Sequence, residues 1–294
     1  MIVSAPKEFS FQQCLYFLNR SPHELLHTAS GEHVEKALRL NGQTILFSVK
    51  ENRKGGLQVQ VLNGRINEKT KRLLREYIEE WFDLKTDLRP FYKLAKKDLL
   101  LKNHVKKYFG YRTVSMPDLF EALSWAIIGQ QIHLNFAYLL KQRFIRQFGE
   151  CVTFNNKNYF LFPTPEIVSK VEPAQLLSMQ FSRQKADYLI GLAKSFAAGI
   201  ISKEKFASYS FEDARQELIK LKGIGNWTAN YVLMKTFHFP NAFPIEDAGL
   251  HQAIRKHLKL ERKPALDEVS QLFKKYEGFE AYATLYFWRS LGED

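Results

Sequence analysis

Residues 221–250 read LKGIGNWTANYVLMKTFHFPNAFPIEDAGL, and this stretch decides the fold. It contains a hydrophobic helix end, a turn at Gly223-Ile224-Gly225, a second helix that begins at Asn226, and a carboxylate, Asp247, that opens a third helix. Glycine permits a tight turn, and the backbone N–H groups of such a turn bind anions together with the positive end of the next helix dipole. The stretch therefore predicts two helices joined by a hairpin that binds the phosphate backbone of a nucleic acid.

This glycine pair also has an ordinary structural explanation, because glycine is the usual residue wherever a turn between helices needs a positive φ. Three features favour anion binding instead. The turn is basic, with Lys220 and Lys222, Trp227 follows on the next helix, and Asp247 lies farther along the chain. Taken together, they favour the functional interpretation.

Asp247 follows FPIE and precedes AGLHQAIRKHL, which places it at the N-terminus of a predicted helix. An aspartate at this position often serves only as an N-cap. The helix dipole also favours the charged carboxylate, by about 0.3 to 1 kcal/mol. Such a carboxylate can stabilise positive charge on a sugar carbon or activate water, as in the cleavage of glycosidic bonds. Glu246, one residue earlier, is the rival candidate.

The charge of the 294-residue chain is +12, from 43 Lys and Arg against 31 Asp and Glu. This excess favours a polyanionic partner, with nucleic acid ahead of an anionic membrane. No apolar run is long enough to cross a membrane, and the start of the chain lacks a signal-peptide pattern, so we expect a cytoplasmic protein. The two cysteines, Cys14 and Cys151, are too few and too far apart for a Cys-rich metal site or a disulfide framework.

The first 88 residues predict an α+β domain. Residues 44–49 and 57–61 form two apolar runs around the turn ENRKGG, and the second run alternates apolar with polar residues, which indicates a hairpin with one solvated face. Residues 67–84 place apolar side chains at helical spacing and predict a helix that packs on this small sheet.

The rest of the chain, residues 89–294, predicts an all-helical region. Residues 89–107 are its most basic part, with seven Lys or Arg and one acid, and fit either a solvated helix face or a surface that faces phosphates. Residues 119–149 predict one long buried helix. Further helices are predicted at 183–198, 211–221, 226–237, 247–258, 266–276 and 279–291.

Four sequence blocks, in order, resemble the HhH-GPD superfamily of DNA base-excision glycosylases, and within it the bacterial 3-methyladenine DNA glycosylase II branch. They are WAIIGQQI at 125–132, FSRQKADYLIGLAKSFAAG at 181–199, LKGIGNWTANYVLM followed by FPIEDAGL, and AYATLYFWRSLG at 281–292. The resemblance covers nearly the whole chain. It implies a mainly α fold of the helix-hairpin-helix glycosylase type, with an N-terminal α+β domain and a cleft between two helical subdomains.

The resemblance also implies roles for the residues of the quoted stretch. Asp247 matches the aspartate that serves the family in glycosidic-bond cleavage. Gly223 and Gly225 match the hairpin glycines whose N–H groups meet a DNA phosphate, with the basic Lys222 directly before them. Relatives that also cut the strand carry a Schiff-base lysine where this chain has Trp227, so lyase activity is not expected.

The same resemblance assigns a pocket for the extruded base. Trp227, Tyr231 and Trp288 match its aromatic walls, although each could equally fill the core. Alkylated purines are cationic, and a cation gains about 0.5 to 2 kcal/mol over an electron-rich ring. Gln131, with Ile132 beside it, falls where the family inserts a wedge into the DNA. A structural Na⁺ or K⁺ at the hairpin would bind the backbone carbonyls of Ile219, Leu221 and Gly223.

These patterns lead to one hypothesis and its rivals. The hypothesis is a monomeric, monofunctional DNA glycosylase on the bacterial nucleoid that hydrolyses 3-methyladenine- or 7-methylguanine-type bases from double-stranded DNA without an organic cofactor. The rivals are a glycosylase for deaminated or oxidised bases, a damaged-DNA-binding protein without catalysis, and a structural helical protein with an incidental basic face.

Overall fold

The computed structural model describes residues 1–52 and 55–293, so the turn predicted at 51–56 lies partly outside the described residues. The N-terminal part is built on a five-stranded antiparallel sheet in the order β1-β5-β4-β3-β2. Its elements are β1 (Ile2–Val3), α1 (Phe11–Leu18), β2 (His27–Ser30), β3 (His33–Leu40), β4 (Gln43–Glu51), β5 (Leu57–Val61) and α2 (Glu68–Trp81).

The sheet contains the two predicted strands, as β4 and β5, and three that the sequence did not reveal. In β5 the alternation is clear, because Leu57 and Val59 are buried while Gln58 and Gln60 are exposed. In β3 it is hidden, because one of the inward positions is Lys36. The Lys36 ammonium donates to the Leu26 carbonyl at 3.3 Å and lies 5.7 Å from the centre of the Trp81 ring.

The remaining chain is mainly helical. Its elements are α3 (Arg89–Ala95), α4 (Lys102–Lys107), α5 (Leu119–Gly129), α6 (Leu134–Phe148), β6 (Glu150–Phe154), β7 (Lys157–Leu161), α7 (Pro165–Val168), α8 (Pro173–Ser178), α9 (Arg183–Ala197), α10 (Lys203–Ala207), α11 (Phe211–Ile219), α12 (Asn226–Phe237), α13 (Ala248–Leu258), α14 (Leu266–Phe273) and α15 (Glu280–Ser290). The six helices predicted from residue 183 onward are confirmed.

The single helix predicted for 119–149 is wrong, because the chain turns between α5 and α6. Gln130 leaves the helical conformation at φ −57° and ψ 129°, and Gln131 has a φ of 56°, which few residues other than glycine adopt. Lys185 of α9 closes the end of α5 by donating to the Ile128 carbonyl at 2.7 Å. The turn thus depends on a partner that lies far along the chain.

The prediction that residues 89–294 are all helical is also wrong, because β6 and β7 form an antiparallel hairpin there. Its turn is made by Asn155 and Asn156, whose positive φ values of 48° and 59° are typical of a two-residue hairpin loop. The hairpin packs against the N-terminal sheet, where Tyr159 and Leu161 contact Ala37 and Leu46. This local signal was present in the sequence and was missed.

The Tyr159 hydroxyl fixes this hairpin to the sheet by donating to Glu35 Oε2 at 2.9 Å. Burial, and then the carboxylate of Glu35, raise the pKa of Tyr159 to about 12. We expect Tyr159→Phe to lower the free energy of unfolding by about 1 to 2 kcal/mol, since the bond to a charged acceptor is lost. Urea denaturation measures this, with Tyr209→Phe as control because the Tyr209 hydroxyl has no hydrogen-bond partner among the described residues. Equal stability of the two variants would contradict the prediction.

Besides the small cluster under the β6–β7 hairpin, the described residues form two large hydrophobic cores. The first takes its buried residues from the N-terminal part up to Leu84, plus Val114, and the second begins at Leu88. Phe17, after the middle of α1, is half-buried and packs against both. The side chain of Phe17 therefore lies at the junction of the sheet domain and the helical region.

A buried ion pair crosses the same junction. Lys141 of α6 donates to Glu24 Oε2 at 2.9 Å and lies 3.8 Å from Glu121 Oε1. Burial by itself raises the pKa of a carboxyl group, but the Lys141 ammonium outweighs it and holds the pKa of Glu24 below its usual range. Removing one member would leave the other charge buried without a partner. This would destabilise the fold by more free energy than the intact pair contributes.

Candidate active site

The hairpin predicted at 223–225 joins α11 to α12. Gly223 has a φ of 88°, and Ile224 is buried and donates its N–H to the Leu221 carbonyl at 3.0 Å. Gly225 is exposed, with φ −92° and ψ −179°, and stands at the N-cap of α12 without a side chain that could cap it. The first N–H groups of α12 consequently lack a capping acceptor and are available to an anion.

The helix α9 braces this hairpin through Tyr188. A Cβ atom added to Gly223 would lie 2.3 Å from a carbon of the Tyr188 ring, so the backbone approaches the ring as closely as only glycine permits. By contrast, a Cβ at Gly225 would meet no heavy atom within 4 Å. Packing inside the protein therefore requires glycine at position 223, whereas the glycine at position 225 leaves open space beside the turn.

Asp247 caps α13 and is surrounded by donors. Its Oδ1 accepts the Leu250 N–H at 2.8 Å and the Trp288 indole N–H at 2.7 Å, and its Oδ2 accepts the Trp227 indole N–H at 3.0 Å. The side chain is half-buried and has no ion-pair partner among the described residues. Three N–H groups and a helix N-terminus thus complement a negatively charged carboxylate.

The three predicted pocket aromatics come together beside this carboxylate. Trp227 stacks on Tyr231 with ring centres 5.3 Å apart and planes inclined by 17°, and Tyr231 lies 6.3 Å from the Trp288 ring at 49°. Trp227 and Trp288 are half-buried, and Tyr231 is buried. A fourth aromatic residue, Trp125, donates its indole N–H to the Tyr231 hydroxyl at 3.1 Å and so orients it.

Gly249 is a site residue that sequence reasoning missed. A Cβ there would lie 3.1 Å from Asp247 Oδ1 and 3.6 Å from Trp288 Nε1. The absent side chain leaves room for the carboxylate to meet the indole. The glycine in the quoted block FPIEDAGL was a signal of such a close approach.

Glu246, the rival carboxylate, has a different environment. It is exposed, and its Oε1 accepts the Asn226 side-chain N–H at 2.8 Å. No indole of the aromatic cluster donates to it among the described residues. Asp247 is therefore the better placed of the two to act on a molecule bound beside the aromatic cluster.

The two basic residues of the hairpin differ in their ion pairing. Lys220 pairs with Glu217 of its own helix. Lys222 is exposed and has no ion-pair partner within the described part of the chain, so its ammonium is available to a phosphate. The structure thus separates the two lysines that the sequence grouped together.

The turn between α5 and α6 is fixed to the hairpin. Gln130 donates its side-chain N–H to the Gly223 carbonyl at 2.8 Å and to the Thr228 hydroxyl at 3.3 Å. Gln131, next to it, is exposed with a positive φ, and Ile132 is half-buried. Gln130 is a second residue that the sequence did not single out, and it places Gln131 near the glycine hairpin.

The described residues contain no group of three potential metal ligands of the His, Cys, Asp or Glu type. His251 contacts the carbonyls of Ile245 and Pro264, and His257 contacts the Ser290 hydroxyl. Among the described helices, none is both long and apolar enough to span a bilayer.

Residues 124–277 match the model of the HhH-GPD superfamily base excision DNA repair proteins. The chain belongs to this superfamily. Residues 7–123 match a second model, that of the 8-oxoguanine DNA glycosylase N-terminal domain. The predicted family and fold class are therefore confirmed.

Individual relatives span the whole chain. A DNA-3-methyladenine glycosylase of Bacillus subtilis (strain 168) is 40% identical over 293 residues, which cover 99% of this chain and 97% of the relative. Among solved structures, the 3-methyladenine DNA-glycosylase from Archaeoglobus fulgidus superposes with a TM-score of 0.83 at 21% identity, covering 98% of this chain and 96% of that one. An 8-oxoguanine glycosylase/lyase of Clostridium acetobutylicum in complex with double-stranded DNA gives 0.75 at 19% identity, covering 100% and 98%. At these identities the two structures establish the shared fold.

Proposed function

We propose that the protein is a monofunctional DNA glycosylase that releases alkylated purines by hydrolysis of the N-glycosidic bond. The main support is the position of Asp247, whose carboxylate is held by two indoles of the aromatic cluster that would enclose the base. The electron-rich rings stabilise a cationic base. The carboxylate stabilises the positive charge that develops on the sugar as the base leaves. The similarity to a DNA-3-methyladenine glycosylase over 99% of the chain supports the same substrate class.

The reaction would begin with extrusion of the damaged nucleotide from the duplex, which costs a few kcal/mol and least for a weakened pair. The base packs against the aromatic cluster, and its positive charge is stabilised by the ring faces. The C1′–N bond then breaks and its electron pair passes to the base, which leaves as a neutral molecule. The Asp247 carboxylate stabilises the oxocarbenium-like sugar, and water adds at C1′ with loss of a proton.

We further propose that no lyase step follows. The position of the lysine that forms an imine in strand-cutting relatives holds Trp227, and an indole nitrogen cannot attack C1′ in that way. Instead, Trp227 donates its N–H to Asp247. This residue thus has a defined alternative role in orienting the carboxylate.

The DNA would be held by the hairpin and the adjoining turn. Gly223 and Gly225 shape the loop, Lys222 adds charge, and Gln131 would occupy the space that the extruded nucleotide leaves. The protein would act on the nucleoid as a monomer. Phosphate contacts position such a protein without specifying sequence, so we expect binding that weakens steeply with salt.

A monovalent cation at the hairpin belongs to the same proposal. The carbonyls of Ile219, Leu221 and Gly223 are neutral oxygen donors, which suit Na⁺ or K⁺. The Leu221 and Gly223 carbonyls each accept one hydrogen bond, from Ile224 N–H and Gln130 respectively, and retain a second lone pair. A cation there would reinforce the positive field that the turn presents to a phosphate.

We expect the protein to release free base from duplex DNA that contains 7-methylguanine, and to cut the strand only after alkali treatment. Chromatography of the released base and denaturing gels with and without alkali measure these two steps. Duplexes with 8-oxoguanine serve as comparison, because the N-terminal family match and one structural neighbour are of that class. Strand breaks without alkali would contradict the monofunctional assignment, and binding without base release would favour a non-catalytic protein.

A further inference from the structure

The side chain of Asn230, one turn into α12, is held by three hydrogen bonds. It is buried, and its Oδ1 accepts the Phe243 N–H at 2.9 Å. Its Nδ2 donates to the backbone carbonyl of Asn226 at 3.0 Å and to Asn226 Oδ1 at 3.1 Å. That Oδ1 also accepts a bond of 2.9 Å from Arg215 of α11. The amide of Asn230 therefore has a fixed orientation, with its oxygen directed at the chain that leads to Asp247.

The segment 243–247 connects this bond to the carboxylate, and it is closed by two tight turns. The Ile245 N–H donates to the Phe243 carbonyl at 2.8 Å, and the Asp247 N–H donates to the Pro244 carbonyl at 2.9 Å. Proline also fixes its own φ. Since few backbone dihedrals of the segment are free to change, a shift of Phe243 would be passed on to Asp247.

One helix holds both ends of this segment. Asn230 binds the Phe243 N–H, and Trp227 donates its indole N–H to Asp247 Oδ2 at 3.0 Å. Asn230 and Trp227 are three residues apart, so they lie on the same side of α12, about 4.5 Å apart along its axis. The glycine hairpin directly precedes this helix. The helix α12 thus sets the distance between the hairpin and the carboxylate.

We propose that Asn230 is a positioning residue of the proposed glycosylase, which fixes Asp247 relative to a DNA phosphate bound at the hairpin. Asn230 is buried and acts only through the segment that carries the carboxylate. With the phosphate at the start of α12 and the segment bound along the same helix, the carboxylate meets C1′ at a constant place. Such placement matters, because an error of about 1 Å in a reacting group lowers the rate on the order of 100-fold.

Asn230→Leu removes these bonds and keeps nearly the volume of the side chain. With protein in excess over a duplex that contains 7-methylguanine, the maximal rate of base release should fall on the order of 10- to 100-fold, because Asp247 shifts. The protein concentration at half-maximal rate should change less than about twofold, since the hairpin is unaltered. Asn230→Ala removes the same bonds without bulk and should show the same split, so it replaces the leucine variant if that variant does not fold.

The matched control is Thr236→Val on the same helix. The Thr236 hydroxyl donates to the Met116 carbonyl at 3.0 Å, so valine also removes a hydrogen bond of a buried α12 side chain but leaves Asn230 bound to Phe243. We expect its maximal rate to stay within about twofold of that of the unmodified protein at a temperature where both are folded. Equal losses in Asn230→Leu and Thr236→Val would reveal a general effect of stability and refute the positioning role.

A double-mutant cycle with Asp247→Asn tests whether Asn230 acts through that carboxylate. Once residue 247 is neutral, its exact position matters little, so adding Asn230→Leu should lower the remaining rate less than about threefold. A further loss of tenfold or more would overturn the role, as would an unchanged maximal rate in Asn230→Leu alone. If the unmodified protein releases no 7-methylguanine, the proposed function itself fails, and the role of Asn230 with it. An active unmodified protein therefore distinguishes the two failures.

Discussion

Replacing Asp247 with asparagine is expected to reduce base excision on the order of 1,000-fold while DNA affinity stays the same or rises. The loss follows because the neutral amide no longer stabilises positive charge at C1′, and its N–H₂ group faces one of the two indole donors. DNA affinity does not fall, since a negative charge is removed from a surface that binds phosphates. Single-turnover release of 7-methylguanine and fluorescence anisotropy with an abasic-analogue duplex measure the two quantities.

The neighbouring carboxylate provides the control. Glu246→Gln changes the same charge one residue away, but the Glu246 side chain is exposed and contacts Asn226 outside the aromatic cluster. We expect this variant to excise bases within about twofold of the unmodified protein. Asparagine is also a good N-cap, so Asp247→Asn should retain the start of α13. Comparable excision by the two variants would refute the role proposed for Asp247.

The hairpin and Asp247 could be predicted because their signals are local. Two glycines, a helix start and an acidic cap all fall within one short stretch, and each obeys turn or capping chemistry. Trp227 lies in the same stretch, but Trp288 is 41 residues from Asp247 and reaches it only because α15 packs on α13. The family resemblance, rather than any local pattern, indicated Trp288.

The features that escaped prediction depend on distant partners. Gln130 ends α5 and bonds to Gly223, 93 residues away, so the periodicity of 119–149 could not reveal the turn. Lys36 interrupts the apolar alternation of β3, because its ammonium is accommodated inside by a carbonyl and a tryptophan ring. Tertiary contacts override local pattern at each of these positions.

Replacing Gly223 with alanine should both destabilise the protein and weaken DNA binding. At a φ of 88° any other residue is strained, which costs about 1 to 2 kcal/mol, and a Cβ placed 2.3 Å from the Tyr188 ring forces a shift that costs about 1 to 3 kcal/mol more. Such a shift also moves the carbonyl that Gln130 binds and the amides at the start of α12. We expect DNA affinity to fall more than tenfold at constant salt, because several contacts with one phosphate are displaced together.

Gly225→Ala separates the two effects. Gly225 has an extended conformation with a φ of −92°, and its Cβ would meet no protein atom within 4 Å. The free energy of unfolding should therefore fall by only about 1 kcal/mol, the cost of alanine at an N-cap position. The added methyl group nevertheless occupies the space that a phosphate would enter, so DNA affinity should fall. In the double variant Gly223→Ala/Tyr188→Ala, removal of the ring should relieve the contact but leave the strain of the positive φ. The strain at Gly223 and the open space at Gly225 predict different midpoints of urea unfolding for the two single variants. Equal midpoints would show that Tyr188 does not brace the hairpin.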